Sequence, residues 1–274
     1  MTKTLVETTL GKPTEYIDQY QPNLLDPIPR ELGRKIIGLT DSALPFVGVD
    51  IWNAYELSWL DKNGLPKVAI AEWRLLCTSP NLIESKSIKL YLNSFNMTRF
   101  NDVDLVRSTI IQDLSKAAQA PVEITLIMPE QFQYLKLSKF EGKCIDDLSV
   151  TIDEYIPHAD LLFVETHPVE EKLVSHLLKS NCPITHQPDW ASVFISYQGN
   201  KINHEGLLKY IVSFRKHNGF HEQCVEKIFV DIMLRCHPQQ LTVYARYTRR
   251  GGLDINPFRT NSNNLPENFR LARQ

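Results

Sequence analysis

The 274-residue sequence lacks excess charge, paired cysteines and long apolar runs. Its 30 basic and 32 acidic side chains give a formal net charge of −2, so it has no basic stripe for binding a nucleic-acid backbone. The five cysteines form no Cys-x-x-Cys pair and are odd in number, which indicates reduced thiols in a cytoplasmic protein. Neither the first ten residues nor any later stretch has the apolar length of a signal or membrane segment. These absences favour a cytoplasmic protein whose ligand is a small molecule, with no nucleic-acid or membrane partner.

Glycine is too scattered to form a nucleotide-binding loop. The eleven glycines never fall into a Gly-x-Gly-x-x-Gly arrangement, so a Rossmann dinucleotide site is not indicated. What the sequence does contain is the composition of a folded globular protein, with 43% hydrophobic and 23% charged residues. Its length suits one large domain or two ordinary ones.

The first half of the chain alternates strand-like and helix-like segments after a proline-rich start. Residues 1 to 47 predict an irregular arm that packs over a domain. The Asn63-Gly64 pair predicts a hairpin turn between two strands. The predicted strands are 51–60, 68–77, 122–128 and 132–137, and the predicted helices are 84–95 and 102–118.

The second half repeats this order, which predicts duplicated modules. Its predicted strands are 171–179, 191–197 and 241–247, and its predicted helices are 203–216 and 220–235. Hairpins rather than crossovers join the strands, so we expect an α+β fold with antiparallel sheets and helices layered on one face. The boundary is placed near Val150, which gives a first module at 1–150 and a second at 151–274.

A thiol and a carboxylate lie in one stiff segment of the second half. Cys182 and Asp189 flank a loop that contains Pro183 and Pro188, whose rings fix the backbone. A thiolate is a nucleophile, and a nearby carboxyl group can transfer protons to whatever the sulfur attacks. The same residues also fit a small buried cysteine and an aspartate that caps a turn.

Two acidic residues begin predicted helices. Glu84 opens the helix at 84–95, and Glu222 follows His221 at the start of the helix at 220–235. Acidic side chains there commonly cap free amides and complement the helix dipole. Alternatively, each carboxylate can accept two adjacent hydrogen bonds from a guanine-like base, with His221 bonded to the same ligand.

Several long motifs together resemble one family. The run Ile-Glu-Ser-Lys-Ser-Ile-Lys-Leu-Tyr-Leu-Asn-Ser-Phe-Asn at 83–96 resembles the signature of the QueF family of NADPH-dependent nitrile reductases in queuosine biosynthesis. Segments 173–190, 220–229 and 244–257 are similar to its long, two-module branch. The resemblance implies tandem tunnelling-fold modules that form a homodimer. It also implies reduction of 7-cyano-7-deazaguanine to 7-aminomethyl-7-deazaguanine by two NADPH molecules, without a metal.

The resemblance also implies roles for individual residues. Cys182 would add to the nitrile carbon to form a thioimide while Asp189 protonates the nitrogen. Glu84 would meet Cys182 where the modules join. The implied substrate-binding residues are Glu84, Ser85, Lys86, His221 and Glu222. The implied NADPH-binding residues are Lys86, Ser87, Arg250 and Gly251.

Three other functions are compatible with parts of the sequence. A zinc-dependent hydrolase related to GTP cyclohydrolase would need ligands such as His176, Cys182, His186, Cys224, Cys236 and His237, whose spacing selects no site. A thiol-dependent nitrile hydrolase would add water to the same thioimide and consume no NADPH. A deazapurine-binding module would need no nucleophile at all.

Overall fold

The computed structural model describes residues 16–41 and 43–274 as a mixed α+β chain. In chain order the strands and helices are β1 (Pro27–Pro29), α1 (Arg30–Ile36), β2 (Val47–Leu60), β3 (Pro66–Leu76), β4 (Asn81–Ile83), α2 (Ser85–Asn93), α3 (Val103–Ala118), β5 (Val122–Ile127), β6 (Lys143–Cys144), β7 (Val164–Asn181), β8 (Pro188–Ile202), α4 (His204–Ser213), α5 (His221–Cys236), β9 (Gln240–Tyr247) and β10 (Leu253–Thr260). Among these described elements, no helix has both the length and the apolarity needed to cross a bilayer.

The chain forms two compact units. The described residues of the first unit are 16–33, Asp50–Lys136 and Arg249–Ile255. The second unit contains Arg34–Val49, Leu137–Thr248 and Asn256–Gln274. Each unit is built from separate segments of the chain. The predicted modules are instead two continuous halves with a boundary near Val150, and their duplication stays a prediction.

The first unit packs two helices on a sheet with strand order β5-β3-β2. In β3 buried and more exposed residues alternate, so one face of the strand is covered. Ile88 of α2 and Ile110 of α3 join the same buried cluster as Trp52 and Trp73, whose rings stack at 5.5 Å. Burial of these large side chains is the main stabilisation of the unit.

The second unit has a sheet in the order β10-β9-β8-β7-β6. β8 pairs antiparallel with both β7 and β9, and α5 packs on β8 and β9. The α+β fold with antiparallel sheets and helices on one face is therefore confirmed. One short strand departs from the expected arrangement, because β6 pairs with β7 in parallel.

Two predictions about local structure were wrong. Residues 132–137 do not form a strand, because Pro129–Tyr134 is a 3-10 helix in which the Gln131 side chain accepts a hydrogen bond from the Met128 amide at 2.9 Å. The whole stretch 129–137 is exposed, so it has no face to bury in a sheet. The arm is not irregular throughout either, since β1 pairs with β4 and is followed by α1. Residues 1–15 of the arm lie outside the described residues.

The described part of the arm does pack along α2, as expected. The Ile17 carbonyl accepts a hydrogen bond from the Asn93 side chain at 2.9 Å, and the Tyr20 amide donates to Thr98 at 2.7 Å. At the other end of α2, the Asp26 carbonyl accepts from the Glu84 amide at 2.9 Å. The bond between Asp26 and Glu84 fixes where α2 begins, and the predicted substrate-binding residues lie there.

Candidate active site

Cys182 lies in the tight loop between β7 and β8. Its amide donates to the Gln187 carbonyl at 2.9 Å, and its carbonyl accepts from the His186 amide at 3.1 Å. His186 has a φ of +57°, in the left-handed region, which lets the chain reverse within so few residues. The Thr185 amide points at the Cys182 sulfur at 3.5 Å. An N–H donor at this position supports negative charge on sulfur, and the loop holds the thiol on a stiff frame.

Asp189 begins the strand that leaves this loop. Its side chain is buried, and its Oδ1 lies 3.4 Å from Nε2 of His221. The His221 ring stacks on the Tyr247 ring with centroids 3.7 Å apart and planes inclined by 4°. The His221 Nδ1 is buried and has no hydrogen-bond partner among the described residues. A buried polar nitrogen without a partner costs free energy, so this atom is available for a ligand.

Two other buried thiols of this unit are poor candidates for the nucleophile. Cys224, beside the hydroxyls of Ser180 and Tyr247, is fully buried, and burial raises the pKa of its thiol to about 12. Burial likewise raises the pKa of Cys236 to about 11. Both thiols therefore stay protonated near neutral pH and make poor nucleophiles. Cys182, in contrast, has a backbone amide aimed at its sulfur.

Glu222 is buried in the first turn of α5. The side chain that folds back on the start of this helix is Gln223, whose Oε1 accepts from the Phe220 amide at 3.1 Å. Gln223 therefore caps the start of α5. The role of Glu222 in binding a ligand beside His221 stays a prediction.

Glu84 shows the capping role that the sequence left open. Its carboxylate accepts hydrogen bonds from the amides of Lys86 and Ser87, both at 2.7 Å, at the start of α2. The side chain is fully buried, and burial raises its pKa although the two amide bonds act in the opposite direction. Each carboxylate oxygen has a second lone pair, so capping leaves acceptor capacity for a ligand.

The other predicted residues near the start of α2 differ in their exposure and hydrogen bonds. The Ser85 hydroxyl lies 3.4 Å from Glu84, and Lys86 is partly exposed. Ser87 is buried, and its hydroxyl accepts from the Asp26 amide at 3.0 Å while donating to the Glu84 carbonyl at 2.7 Å. The Ser87 hydroxyl therefore has a structural role in fixing the start of α2.

Arg250 and Gly251 form a turn beside a cavity of the first unit. Gly251 and Gly252 have φ angles of +56° and +67°, which glycine adopts readily, and a Cβ on Gly252 would collide with Glu56. The cavity has a volume of about 420 Å³ and is partly lined by Gly251, Gly252, Glu56, Lys89, Asn93 and Asn96. Sequence reasoning missed Lys89, although its place four residues after Ser85 puts it on the same side of α2.

The predicted residues fall into two groups. Cys182, Asp189, His221 and Glu222 belong to the second unit, and Glu84, Ser85, Lys86, Ser87, Arg250 and Gly251 belong to the first. The expected meeting of Glu84 with Cys182 stays a prediction.

Sequence reasoning also missed Asn181, whose amide and side-chain Nδ2 donate to the His217 carbonyl at 2.8 and 3.2 Å. This residue ties the end of β7 to the segment that leads into α5.

The structure groups potential metal ligands differently from the six zinc candidates identified in the sequence. Of the six zinc candidates, only His176 joins a cluster of three ligands within the described chain, and its companions are Cys144 and Asp146. Cys182 is not part of that cluster.

Comparisons with known proteins find matches in both halves of the chain. Residues 16–126 match the family described as "Nitrile reductase, 7-cyano-7-deazaguanine-reductase N-term", and residues 188–265 match "QueF-like protein". An NADPH-dependent 7-cyano-7-deazaguanine reductase of Burkholderia multivorans is 56% identical over 268 residues, which are 97% of each chain. The crystal structure of an apo archaeosine synthase QueF-Like is 19% identical, with a TM-score of 0.31 over 37% of this chain and 99% of that one. That structural likeness is too slight to support an argument.

Proposed function

The chain belongs to the QueF family of 7-cyano-7-deazaguanine reductases, and we propose that it reduces this nitrile to 7-aminomethyl-7-deazaguanine in queuosine biosynthesis. The reaction is an NADPH-dependent, four-electron reduction of a nitrile to a primary amine. The observation that carries the proposal is the Cys182 loop, where an amide points at the sulfur and the buried Asp189 lies 3.4 Å from His221. Family membership implies the tandem tunnelling-fold organisation.

We assign nucleophilic attack to Cys182. Its sulfur bonds to the nitrile carbon, one π bond of the C≡N group breaks, and the nitrogen takes a proton to give a thioimide. This addition converts a poorly electrophilic nitrile into a C=N carbon that a hydride can reach. Loss of the thiolate after the first reduction leaves an imine, which a second reduction converts to the amine.

Asp189 is assigned the proton transfer to nitrogen. Its side chain is buried and lies 3.4 Å from His221, so it is a positioned carboxyl group that can act as a general acid. His221, stacked on Tyr247, has a fixed ring plane and a buried Nδ1 that can bond to the substrate. Glu222, next in the chain, would accept from the pyrimidine edge of the deazaguanine.

Glu84 is proposed to bind the nitrile, with Ser85 and Lys86 beside it. A test is the affinity of the nitrile for Glu84→Gln, measured by calorimetry on the full chain. Loss of one charged acceptor should weaken binding about tenfold or more, in line with hydrogen bonds to charged groups. If the variant bound as tightly as the parent protein, Glu84 would have no part in the site.

The residues around the Arg250–Gly251 turn fit a phosphate-bearing cofactor. Gly251 is exposed and lies close to the aliphatic part of Lys89. A Cβ added at Gly251 would lie 3.3 Å from Lys89 Cδ. We propose that Lys86 and Arg250 bind the phosphates of NADPH, with the backbone of Ser87 and Gly251 as neutral donors. When bound, NADPH supplies the hydrides of the reaction. The chain requires no metal for this chemistry.

The proposal also includes an oligomeric state and a cellular location. β5 has β3 as its one neighbouring strand within the described sheet, so its other edge is open to a second copy of the chain. We propose a homodimer, which light scattering of the purified protein would test. We also propose a cytoplasmic location, where the thiol of Cys182 stays reduced.

The experiment that tests the function counts NADPH oxidised for each nitrile consumed and identifies the product by mass. Reductase activity predicts two NADPH for each aminomethyl product. Cys182→Ala should lower turnover by more than about a thousandfold, the usual scale for loss of a covalent nucleophile, whereas Cys144→Ala serves as the matched control. Nitrile loss without NADPH oxidation would instead identify a thiol-dependent hydrolase. Binding without turnover would identify a deazapurine-binding module, and loss of turnover on chelation would point to a zinc hydrolase.

A further inference from the structure

A thiol, a carboxylate and an imidazole lie close together at the β6 edge of the sheet in the second unit. Cys144 lies in β6, opposite Val174 of β7, and the Ile145 amide donates to the Val174 carbonyl at 3.0 Å. This pairing carries Asp146 to the level of His176 on β7. One ligand atom from each of Cys144, Asp146 and His176 lies within 4.8 Å of the other two.

These distances suit a small divalent ion. Zinc bonds to sulfur, nitrogen and oxygen at about 2.0 to 2.3 Å, so tetrahedral ligand atoms stand about 3.3 to 3.8 Å apart. Small side-chain rotations are therefore enough to close the cluster around an ion. Cys144 and His176 are exposed, and an ion can reach them from solvent.

Neighbouring side chains hold two of the three ligands in place. Asp146 Oδ1 accepts from the Ser175 hydroxyl at 2.6 Å, and Oδ2 accepts from the His176 amide at 2.8 Å. His176 Nδ1 lies 2.8 Å from the Ser192 hydroxyl. When Nδ1–H donates to Ser192, the lone pair of Nε2 is available, which is the usual outer-shell arrangement of a metal-bound histidine. Each Asp146 oxygen also retains a second lone pair.

Charges of both signs lie near the cluster. Arg273 donates to the His176 carbonyl at 2.8 Å, and the carboxylates of Asp146 and Asp147 act on the Cys144 side chain. A positive ion at this position would be attracted by both carboxylates and would replace the thiol proton, which leaves to solvent.

We propose that Cys144, Asp146 and His176 bind Zn²⁺ or another borderline divalent cation, with water in the fourth position. The set combines soft, borderline and hard donors, which fits zinc, cobalt and nickel rather than magnesium or calcium. The ion would fasten the two-residue strand β6 and the segment after it to β7. It takes no part in the nitrile reduction, whose cysteine lies outside the cluster.

The test titrates Co²⁺ into the full chain in a thiol-free reductant and records the absorption of cobalt bound to thiolate. We expect saturable binding at one site, with the thiolate-to-cobalt band removed by excess Zn²⁺. Cys144→Ser should abolish the band, and His176→Ala should weaken binding at least about tenfold, a cost of about 1.4 kcal/mol. Ser192→Ala should weaken it by about ten- to one hundredfold, because this hydroxyl orients the imidazole.

Two controls separate the proposal from adventitious binding. Cys182→Ala and Cys236→Ser should keep the cobalt band, since neither thiol lies in the cluster. Nitrile reduction by Cys144→Ser should equal that of the parent protein, with or without added Zn²⁺, and an unchanged melting temperature would show that the variant folds. Absence of cobalt binding, a band that survives Cys144→Ser, or a band lost in Cys182→Ala would each overturn the proposal.

Discussion

At the scale of single residues, the same functional group has different surroundings at different positions of the second unit. Cys182 and Cys224 are both buried, yet only Cys182 has a backbone amide directed at sulfur from within its own loop. Cys224 lies inside α5 among hydroxyls and carboxylates, with a pKa raised to about 12. Cys182, which the sequence analysis selected because prolines stiffen its loop, therefore also has surroundings that suit a nucleophile.

Asp189→Asn tests the proposed proton transfer. The amide keeps the size of the side chain but cannot give a proton, so we expect the rate of nitrile reduction to fall by about 10² to 10⁴. Rapid-mixing kinetics should show that the slow step is thioimide formation. Asp231→Asn is the matched control, because Asp231 is buried in the same unit and accepts from Tyr210 at 2.6 Å. That variant should lose stability without a slower chemical step, and equal kinetic losses in both would contradict the assignment.

Glu84 gives a prediction about pH. Burial raises its pKa above the ordinary 4.5, so the folded protein binds this proton more tightly than the unfolded chain. The corresponding stabilisation is complete below pH 4.5 and is lost as the pH rises through the folded-state pKa. The free energy of unfolding of the parent protein, relative to Glu84→Gln, should therefore increase as the pH falls through this window. Urea unfolding at a series of pH values measures the difference, and a difference independent of pH would contradict the burial argument.

At the scale of elements, Asn181 joins the nucleophile loop to the start of α5. Its side-chain Nδ2 lies 3.3 Å from the Arg215 carbonyl and 3.2 Å from the His217 carbonyl. The backbone contributes a return bond, from the Gly219 amide to the Asn181 carbonyl at 3.1 Å. This contact places His221 and Glu222 relative to Cys182, so Asn181 is a positioning residue.

Asn181→Ala should remove that positioning. We expect kcat/KM for the nitrile to fall about ten- to one hundredfold, because small misplacements of reacting groups are costly. Asn203→Ala is the control, since Asn203 caps α4 of the same unit by accepting from the Gly206 amide at 2.9 Å. It should cost about 1 kcal/mol of stability with little change in kcat/KM. A kinetic loss no larger than that of Asn203→Ala would leave Asn181 with a purely structural role.

Most elements could be predicted from the sequence, and those that could not have identifiable causes. α3 follows from the spacing of Val106, Ile110 and Leu114, all of which are buried. β10 was missed because it contains Pro257, and proline lacks the amide that a central strand donates to its neighbour. The stretch after Pro129 contains aromatic residues that suggest a strand, yet it is exposed and forms a 3-10 turn.

Within the site, the chemistry was more predictable than the supporting contacts. Cys182 and Asp189 could be identified because a proline-fixed loop is a local feature of the chain. The stacking of His221 on Tyr247 joins residues that are distant in sequence, and no local pattern encodes it. The same holds for the cluster of Cys144, Asp146 and His176, which depends on the parallel pairing of β6 with β7.

At the scale of the whole molecule, distant parts of the chain meet on one buried carboxylate in the second unit. Glu226 of α5 accepts from Arg34 of α1 at 2.9 Å and from Arg259 of β10 at 2.8 Å. All three side chains are almost completely buried. A buried charge is costly without its partners, so this network depends on every member being present.

Glu226→Gln should destabilise the protein by about 3 to 5 kcal/mol, because two buried guanidinium groups lose their shared carboxylate. Urea unfolding of the full chain measures this. Glu165→Gln breaks the more exposed pair with Lys201, at 2.9 Å, and should leave the free energy of unfolding almost unchanged. If both variants were equally stable, the buried network would not be a main support of the fold.

Covalent attack by Cys182 can be measured directly as the mass of the full-length protein mixed with 7-cyano-7-deazaguanine in the absence of NADPH. Attack by Cys182 predicts an increase equal to the whole mass of the nitrile, because addition releases no leaving group. Peptide mapping should place the adduct on Cys182, Cys182→Ala should lack it, and NADPH should discharge it as the aminomethyl product. An active protein that forms no adduct, or an adduct on Cys144 instead, would contradict the account.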